Sequence, residues 1–188
     1  MAAFGFRRTL TGRVTGRLEA MERGLLRTMI EQLVGMIEPP ESRDADPLAV
    51  QLGLEDLDSG VGHMGLLDER DPVLERLFPP GYEDAAEALE FRRFTELGLR
   101  QQKVAAALTV LATLEDGDKI NLDPAQASAW LTTLNDLRLA LAVRLDITGE
   151  ADHARLQSLA EDDDQFVQYQ VYDFLTYLQE TLVRAVSG

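Results

Sequence analysis

Six residues, Gly60-Val61-Gly62-His63-Met64-Gly65, have the spacing of a dinucleotide-binding loop. In that loop the glycines let the backbone approach a pyrophosphate, and the loop connects a buried strand to the start of a helix. Here the acidic stretch LEDLDS precedes the glycines, and LLDERDP follows them. Because the pattern lacks both the strand and the helix of the motif, the sequence predicts a flexible loop and no cofactor site.

Clusters of acidic residues raise the question of calcium binding, but neither candidate loop has the residues of an EF-hand. A loop that begins at Asp56 has Val61 at its sixth position, where glycine is needed for the turn. A loop that begins at Asp116 has Ile120 at its fifth position, where an oxygen ligand is needed. The run Asp162-Asp163-Asp164 is more typical of a linker or a helix cap. We therefore predict no metal site.

Nucleophilic and acid–base catalysis also lack their usual parts. The chain has no cysteine, and its two histidines, His63 and His153, have no second ligand or nucleophile at helical spacing. Carboxylates are abundant, but nothing in the pattern places two of them together in an apolar pocket. We predict that the protein is not an enzyme, and we assign no catalytic, cofactor-binding or metal-binding residue.

Charged residues interrupt the most apolar helical segment, WLTTLNDLRLALAVRL at 130–145. A charge that is buried in a helical bundle is costly unless it is paired and hydrogen-bonded, so we expect partners on the neighbouring helices. The alternative is a ligand or partner site built from the same groups. The predicted structural polar network consists of Glu90, Arg93, Asn135, Asp136, Arg138 and Glu180.

Positive charge is concentrated near the N-terminus. The net charge of the chain is −15, yet residues 1–27 contain six arginines and two glutamates. An acidic surface repels phosphate backbones, which argues against nonspecific binding of nucleic acid. Either these arginines are ordinary solvated residues, or they form a basic interaction face. DNA, contacted through a β-ribbon, is a less favoured partner for such a face than protein. The residues of this predicted face are Arg7, Arg8, Arg13 and Arg17.

The elements that would position these groups are mainly helical. Gly12 supplies the turn of an N-terminal β-hairpin, and Pro124 follows an aspartate that can cap a helix. Apolar spacing predicts helices with buried faces, one of which would bury Val104, Leu108, Leu111 and Leu114. The predicted elements are a hairpin over 4–18, helices over 19–37, 84–114, 124–144 and 165–186, short helices that start at 47 and 72, and a strand over 119–122.

The length and composition fit one helical domain over residues 1–188 with a small N-terminal β-hairpin. Residues 38–71 are rich in acids, glycine and proline, and we interpret them as a mobile acidic insertion. No stretch approaches the ~20 apolar residues of a membrane-spanning helix, so we expect no membrane association and a cytoplasmic location.

Three blocks of the sequence resemble an actinobacterial family of unknown function that includes the oxidative stress regulator AosR. They are ALEFRRFTE at 88–96, WLTTLNDLRL at 130–139 and VYDFLTYLQE at 171–180. The resemblance implies a cytosolic regulator that acts through protein contacts, and its stress-responsive branch engages an extracytoplasmic-function sigma factor. That branch is associated with a redox cysteine pair, whereas this chain has no cysteine.

From the residues and the resemblance together we expect a regulatory protein that acts by protein–protein contact, with a sigma factor or the transcription machinery as partner, and a homodimer is an option. The first alternative is a structural or adaptor module connected with regulated proteolysis, since genes of the family often lie near a Clp protease adaptor. The second alternative is an uncharacterised small-molecule enzyme. The stimulus is open, because the cysteine pair is absent.

Overall fold

The computed structural model describes residues 4–38, 71–79, 85–115 and 117–188, with the side chains of Phe4 and of residues 85–95 left undescribed. The fold is a helical bundle with a small antiparallel sheet, which agrees with the predicted mainly helical fold. The elements in chain order are β1 (Phe4–Arg8), β2 (Val14–Arg17), α1 (Ala20–Ile37), α2 (Pro72–Leu77), α3 (Ala85–Leu114), β3 (Lys119–Leu122), α4 (Pro124–Arg144), α5 (Glu150–Gln157) and α6 (Asp164–Ser187).

The N-terminal hairpin forms as predicted and gains a third strand. Gly12 has a φ of 80°, which a glycine adopts without strain, and the turn is closed by a 2.8 Å hydrogen bond from Thr9 N to Arg13 O. The order of the sheet is β1-β2-β3, and both pairs are antiparallel. Because β2 pairs with both β1 and β3, the hairpin is joined to β3, the strand between α3 and α4.

Helix starts lie where the aspartate–proline pairs predict them. Asp123 accepts a hydrogen bond from the Gln126 N–H at 2.9 Å, and the Gln126 side chain accepts one from the Asp123 N–H at 3.0 Å. The Asp71 carboxylate caps α2 in a similar way through Val73 N at 2.8 Å. The helix start predicted at residue 47 and the insertion over 38–71 lie, apart from Glu38 and Asp71, outside the described residues.

The helix α4 is central to the bundle, since it packs against α1, α2, α3 and α6. Trp130 at its first buried turn is completely enclosed, and its indole N–H donates to Thr113 Oγ1 at 2.9 Å. The Phe6 ring of β1 meets the Trp130 ring edge-on at 5.3 Å between centroids. Leu137, Leu141 and Leu145 continue the buried face toward the end of α4 and its cap.

The short helix α5 is absent from the sequence prediction, which placed only a linker before the last helix. Its single buried residue is Leu156, so no periodic apolar stripe marks it. Its start is stabilised by Asp152, whose carboxylate accepts hydrogen bonds from Thr148 and Gly149, and these bonds lower the pKa of Asp152. In the described part of the chain, no helix has the length and apolar character that crossing a bilayer requires.

Candidate functional site

The most buried charge in the described residues belongs to Asp136, on α4. Its residue is 1% exposed, and its Oδ1 lies 2.5 Å from Lys103 Nζ on α3. Burial raises the pKa of the Asp136 carboxyl, and the hydrogen bond and charge of Lys103 oppose that rise. The ammonium also lies 5.8 Å from the centre of the Phe78 ring. The pair therefore couples α3 to α4 in the interior of the protein.

The predicted network did not include Lys103, although the sequence contains a signal for it. Lys103 shares a helical stripe with Ala107, Val110 and Leu114, all of which are buried. Of the stripe predicted from the larger apolar residues, Leu114 is buried, Val104 and Leu111 are partly buried against the core, and Leu108 is 51% exposed. Ala107 is buried and the larger Leu108 beside it is not, whereas hydrophobicity alone favours burial of the leucine.

Arg138, two residues further along α4, leaves that helix on a different side and binds the helix α6. Its guanidinium donates to Thr176 Oγ1 at 3.0 Å and to Gln179 Oε1 at 2.7 Å. A third, longer bond of 3.3 Å reaches the hydroxyl of Tyr172, whose ring centre lies 5.3 Å from the guanidinium carbon. These partners are neutral, so Arg138 contributes hydrogen bonds between helices instead of one half of an ion pair.

The structure brings together only part of the predicted set. Glu180 is exposed and pairs with Arg184 at 3.1 Å on the same helix, since it lies one position beyond the inward-facing Gln179. Asn135 is likewise exposed, one position before Asp136. The side chains of Glu90 and Arg93 lie outside the described residues, although both belong to α3. Their membership of a polar network stays a prediction.

A second group of contacts that the sequence did not indicate surrounds Arg100 on α3. The guanidinium donates to the carbonyl of Ile37 at the end of α1 and pairs with Glu96 at 2.8 Å. It also lies 4.7 Å from the centre of the buried Phe78 ring, just after α2. A cation at this position satisfies a free carbonyl at a helix C-terminus. Arg100 thus joins α1, α2 and α3.

His153 on α5 contacts aromatic residues of α6. Its Nδ1 lies 3.2 Å from the Tyr169 hydroxyl, which also accepts a 3.2 Å hydrogen bond from Gln157 Nε2. Burial raises the pKa of Tyr169. Among the described residues, no group of three or more histidine, aspartate or glutamate side chains is arranged to hold a metal ion. Asp163 accepts a 2.8 Å hydrogen bond from Gln165 N and so caps α6.

A groove of about 280 Å³ lies on the face of the sheet that points away from the core. Two of the four predicted basic residues, Arg7 and Arg17, line it, and Lys119 of β3 joins them. Arg8 pairs with Val14, which points toward the core, so Arg8 lies on the same inner face of the sheet as Val14 and away from the groove. Arg13 lies in the hairpin turn and does not line the groove. The basic face therefore differs in membership from the predicted one.

The fold and these contacts define a helical-bundle protein with an appended three-stranded sheet, an internal polar network and a basic groove. A family model described as "Domain of unknown function (DUF2017)" matches residues 1–186. The chain belongs to this family.

Named relatives come from mycobacteria. A putative oxidative stress regulator AosR of Mycobacterium leprae (strain TN) is 32% identical over 183 residues, which cover 89% of this chain and 79% of the relative. The oxidative stress regulator AosR of Mycobacterium tuberculosis (strain ATCC 25618 / H37Rv) is 30% identical over 192 residues, covering 94% of this chain and 83% of the relative. The protein of the same name from Mycobacterium bovis matches equally well. No solved structure shows significant similarity.

Proposed function

We propose that this chain is a cytoplasmic regulatory protein without catalytic activity, which acts by contact with other proteins in the control of transcription. The observation that carries the proposal is the similarity to oxidative stress regulators, which spans 94% of the chain. The family match over residues 1–186 spans the described elements to within one residue of the end of α6, so the proposal extends the class of role of these relatives to the whole described fold.

The internal charges support this proposal because the bundle uses them itself. Asp136 is paired with Lys103, and Arg138 binds side chains of α6. Groups that satisfy one another inside a helical bundle fix the packing of its helices. The surface is then the part of the molecule that remains available to bind a partner, and a regulator that acts by contact needs such a surface.

The partner we propose is a sigma factor bound to, or on its way to, RNA polymerase. The signal cannot be a disulfide formed by this chain, since the chain has no cysteine. Any sensing of an oxidant therefore uses a group other than a thiol of this chain.

Affinity capture from the native host tests the proposal. A tagged full-length chain is cross-linked to its partners before and after a brief peroxide treatment, and the eluted proteins are identified by mass spectrometry. We expect RNA polymerase subunits and one sigma factor to be enriched over a tag-only control. Reciprocal capture through the tagged sigma factor, followed by binding of the two purified proteins, establishes a direct contact.

Two results would oppose the proposal. Enrichment of Clp protease components without RNA polymerase would favour an adaptor in regulated proteolysis. Turnover of a small molecule by the purified chain, lost in a surface variant that folds normally, would favour an enzyme.

A further inference from the structure

The groove on the outer face of the sheet has a structural origin in a β-bulge. Phe4 pairs with Arg17 and Arg7 pairs with Thr15, so two residues of β1, Gly5 and Phe6, lie opposite the single residue Gly16. A bulge of this kind changes the direction in which the side chains of the bulged strand point. Here it leaves part of the outer face without side chains.

None of the three residues at the bulge places a side chain on the outer face. The Phe6 ring enters the core and occupies the space of a Gly16 side chain, because a Cβ on Gly16 would lie 2.8 Å from that ring. A Cβ on Gly5 would lie 2.5 Å from Thr181 Cγ2 of α6. The floor of the groove is therefore backbone, and its walls are the side chains of the flanking residues.

Those walls carry positive charge. Arg7, Arg17 and Lys119 line the groove together with Thr15, and all three cations are exposed. Arg17 lies directly opposite Lys119 in the register of β2 and β3. Asp118 pairs with Arg17 at 2.8 Å, so three cations and one anion leave a local charge of +2 in a chain of net charge −15.

The register of β2 and β3 places Arg17 and Lys119 opposite each other, and Asp118 offsets only part of their combined charge. Like charges that face each other across two antiparallel strands repel and destabilise the pair. A negatively charged ligand in the groove offsets the remaining repulsion and can contact Arg7, Lys119 and the Arg17 that already pairs with Asp118. The charges of the groove thus complement an anionic partner.

We propose that the groove binds an acidic segment of a partner protein in an extended conformation, with its carboxylates on Arg7, Arg17 and Lys119. Acidic residues at alternate positions of an extended segment place carboxylates about 7 Å apart on one side, within reach of long cationic side chains on strands that lie about 5 Å apart. Protein is favoured over nucleic acid because a long polyphosphate meets the repulsion of the whole acidic surface, whereas a short segment meets the local charge. The inference deepens the proposed function and rests on it for the identity of the partner.

Fluorescence anisotropy tests the site with a defined probe. The probe is a fluorescein-labelled peptide of four Asp-Ser repeats, titrated with the full-length chain at low ionic strength. In the groove variant Arg7, Arg17 and Lys119 are all replaced by glutamate, and we expect at least about tenfold weaker binding because three modest ion pairs are reversed together. Circular dichroism confirms that the variant is folded. If it is not, the triple glutamine variant is used, with a loss of about threefold or more.

A second triple variant controls for net charge. Arg8, Arg13 and Arg27 are exposed, do not line the groove, and are replaced by glutamate to give the same change in charge. We expect less than a twofold change in this control. Equal weakening in both triple variants, or tighter binding of a duplex DNA probe that the groove variant abolishes, would overturn the proposal. Dimerisation of the wild-type chain that is lost in the groove variant would also overturn it.

The peptide assay and the capture experiment test the groove and the proposed function separately. Binding of the peptide in the groove without capture of any transcription component leaves the surface established and refutes the proposed function. Capture of RNA polymerase that is unchanged in the groove variant supports the proposed function and refutes the surface.

Discussion

Lys103 Nζ lies 2.5 Å from Asp136 Oδ1, and this ion pair connects α3 to α4 in the interior of the bundle. The two side chains are 12% and 2% exposed, so water screens the pair poorly. The carboxylate lost much of its hydration on folding, and burial accordingly raises the pKa of Asp136 despite the nearby ammonium. The stability of the fold is therefore sensitive to the loss of either partner.

We expect the substitution Lys103→Met to lower the free energy of unfolding at neutral pH by about 3–5 kcal/mol, because it leaves Asp136 buried without its cation. Urea denaturation measures the effect. The double variant Lys103→Met/Asp136→Leu should recover most of the loss, since an apolar pair of similar volume replaces a buried ion pair at little cost. The exposed pair Glu180–Arg184 is the matched control, and its removal should change stability by less than about 1 kcal/mol.

The same variant has a predictable pH dependence. Without Lys103 the folded-state pKa of Asp136 rises further, since both opposing contributions come from that lysine. A carboxyl with a raised folded-state pKa binds its proton more tightly in the folded state, so its favourable contribution is complete below the ordinary pKa of 3.8 and is lost as the pH rises. The stability difference between wild type and Lys103→Met should therefore widen with increasing pH above that value. A constant difference across the range would show that Asp136 is well hydrated.

Replacement of Arg138 by alanine should lower the free energy of unfolding by about 1–3 kcal/mol, through lost hydrogen bonds between α4 and α6. The loss is smaller than the ~3–5 kcal/mol that follows from breaking a buried ion pair, because Thr176, Gln179 and Tyr172 are neutral. Arg144→Ala on the same helix is the control, because Arg144 is exposed. Thermal unfolding compares the two variants, and equal melting temperatures would refute the role of Arg138.

Local signals in the sequence were enough to predict most of the elements. The turn at Gly12 and the caps at Asp71 and Asp123 depend on a few neighbouring residues, and these features lie where the sequence indicates them. The helix α5 was missed because its contacts with the bundle come mainly from Leu156 and from hydrogen bonds to α6. Its stability depends on tertiary contacts that no periodic pattern records.

The contacts of the candidate site could not be predicted from a single sequence, because they depend on how distant segments pack. Which residue pairs with Asp136 depends on the relative rotation of α3 and α4, and the face of α3 that is buried contains Ala107 and not the larger Leu108. The membership of the basic face depends on the bulge at Gly5 and Phe6 and on the arrival of β3 beside β2. Both are tertiary relationships between segments far apart in the chain.

The bulge makes Gly5 sensitive to substitution. In Gly5→Ala the new Cβ would meet Thr181 Cγ2 at 2.5 Å, and we expect a destabilisation of about 1–3 kcal/mol as β1 moves away from α6. Gly24→Ala is the matched control, because a Cβ there meets nothing within 4 Å and alanine favours helix by up to about 1 kcal/mol. Chemical denaturation should therefore shift in opposite directions for the two variants. A stabilised Gly5→Ala protein would contradict the close approach.

The hydroxyl of Tyr169 connects α5 to α6, and its removal should loosen that short helix. It lies 3.2 Å from His153 Nδ1 and accepts from Gln157 at 3.2 Å, so Tyr169→Phe removes both bonds while keeping the ring in the core. We expect faster amide hydrogen exchange over residues 150–157, with little change in α4, because a short helix opens locally when its few tertiary contacts weaken. Mass spectrometry measures the exchange on peptides from each helix.

Tyr177→Phe provides the control for that experiment, because the Tyr177 hydroxyl accepts a 3.3 Å hydrogen bond from Gly5 N and has its effect at the sheet. It should leave exchange in α5 unchanged and raise it in β1. If Tyr169→Phe instead accelerates exchange evenly through the molecule, the hydroxyl supports the stability of the whole bundle. If exchange in α5 is fast in the wild type and does not change, the side chains of α5 hold it to α6 too weakly for these two bonds to matter.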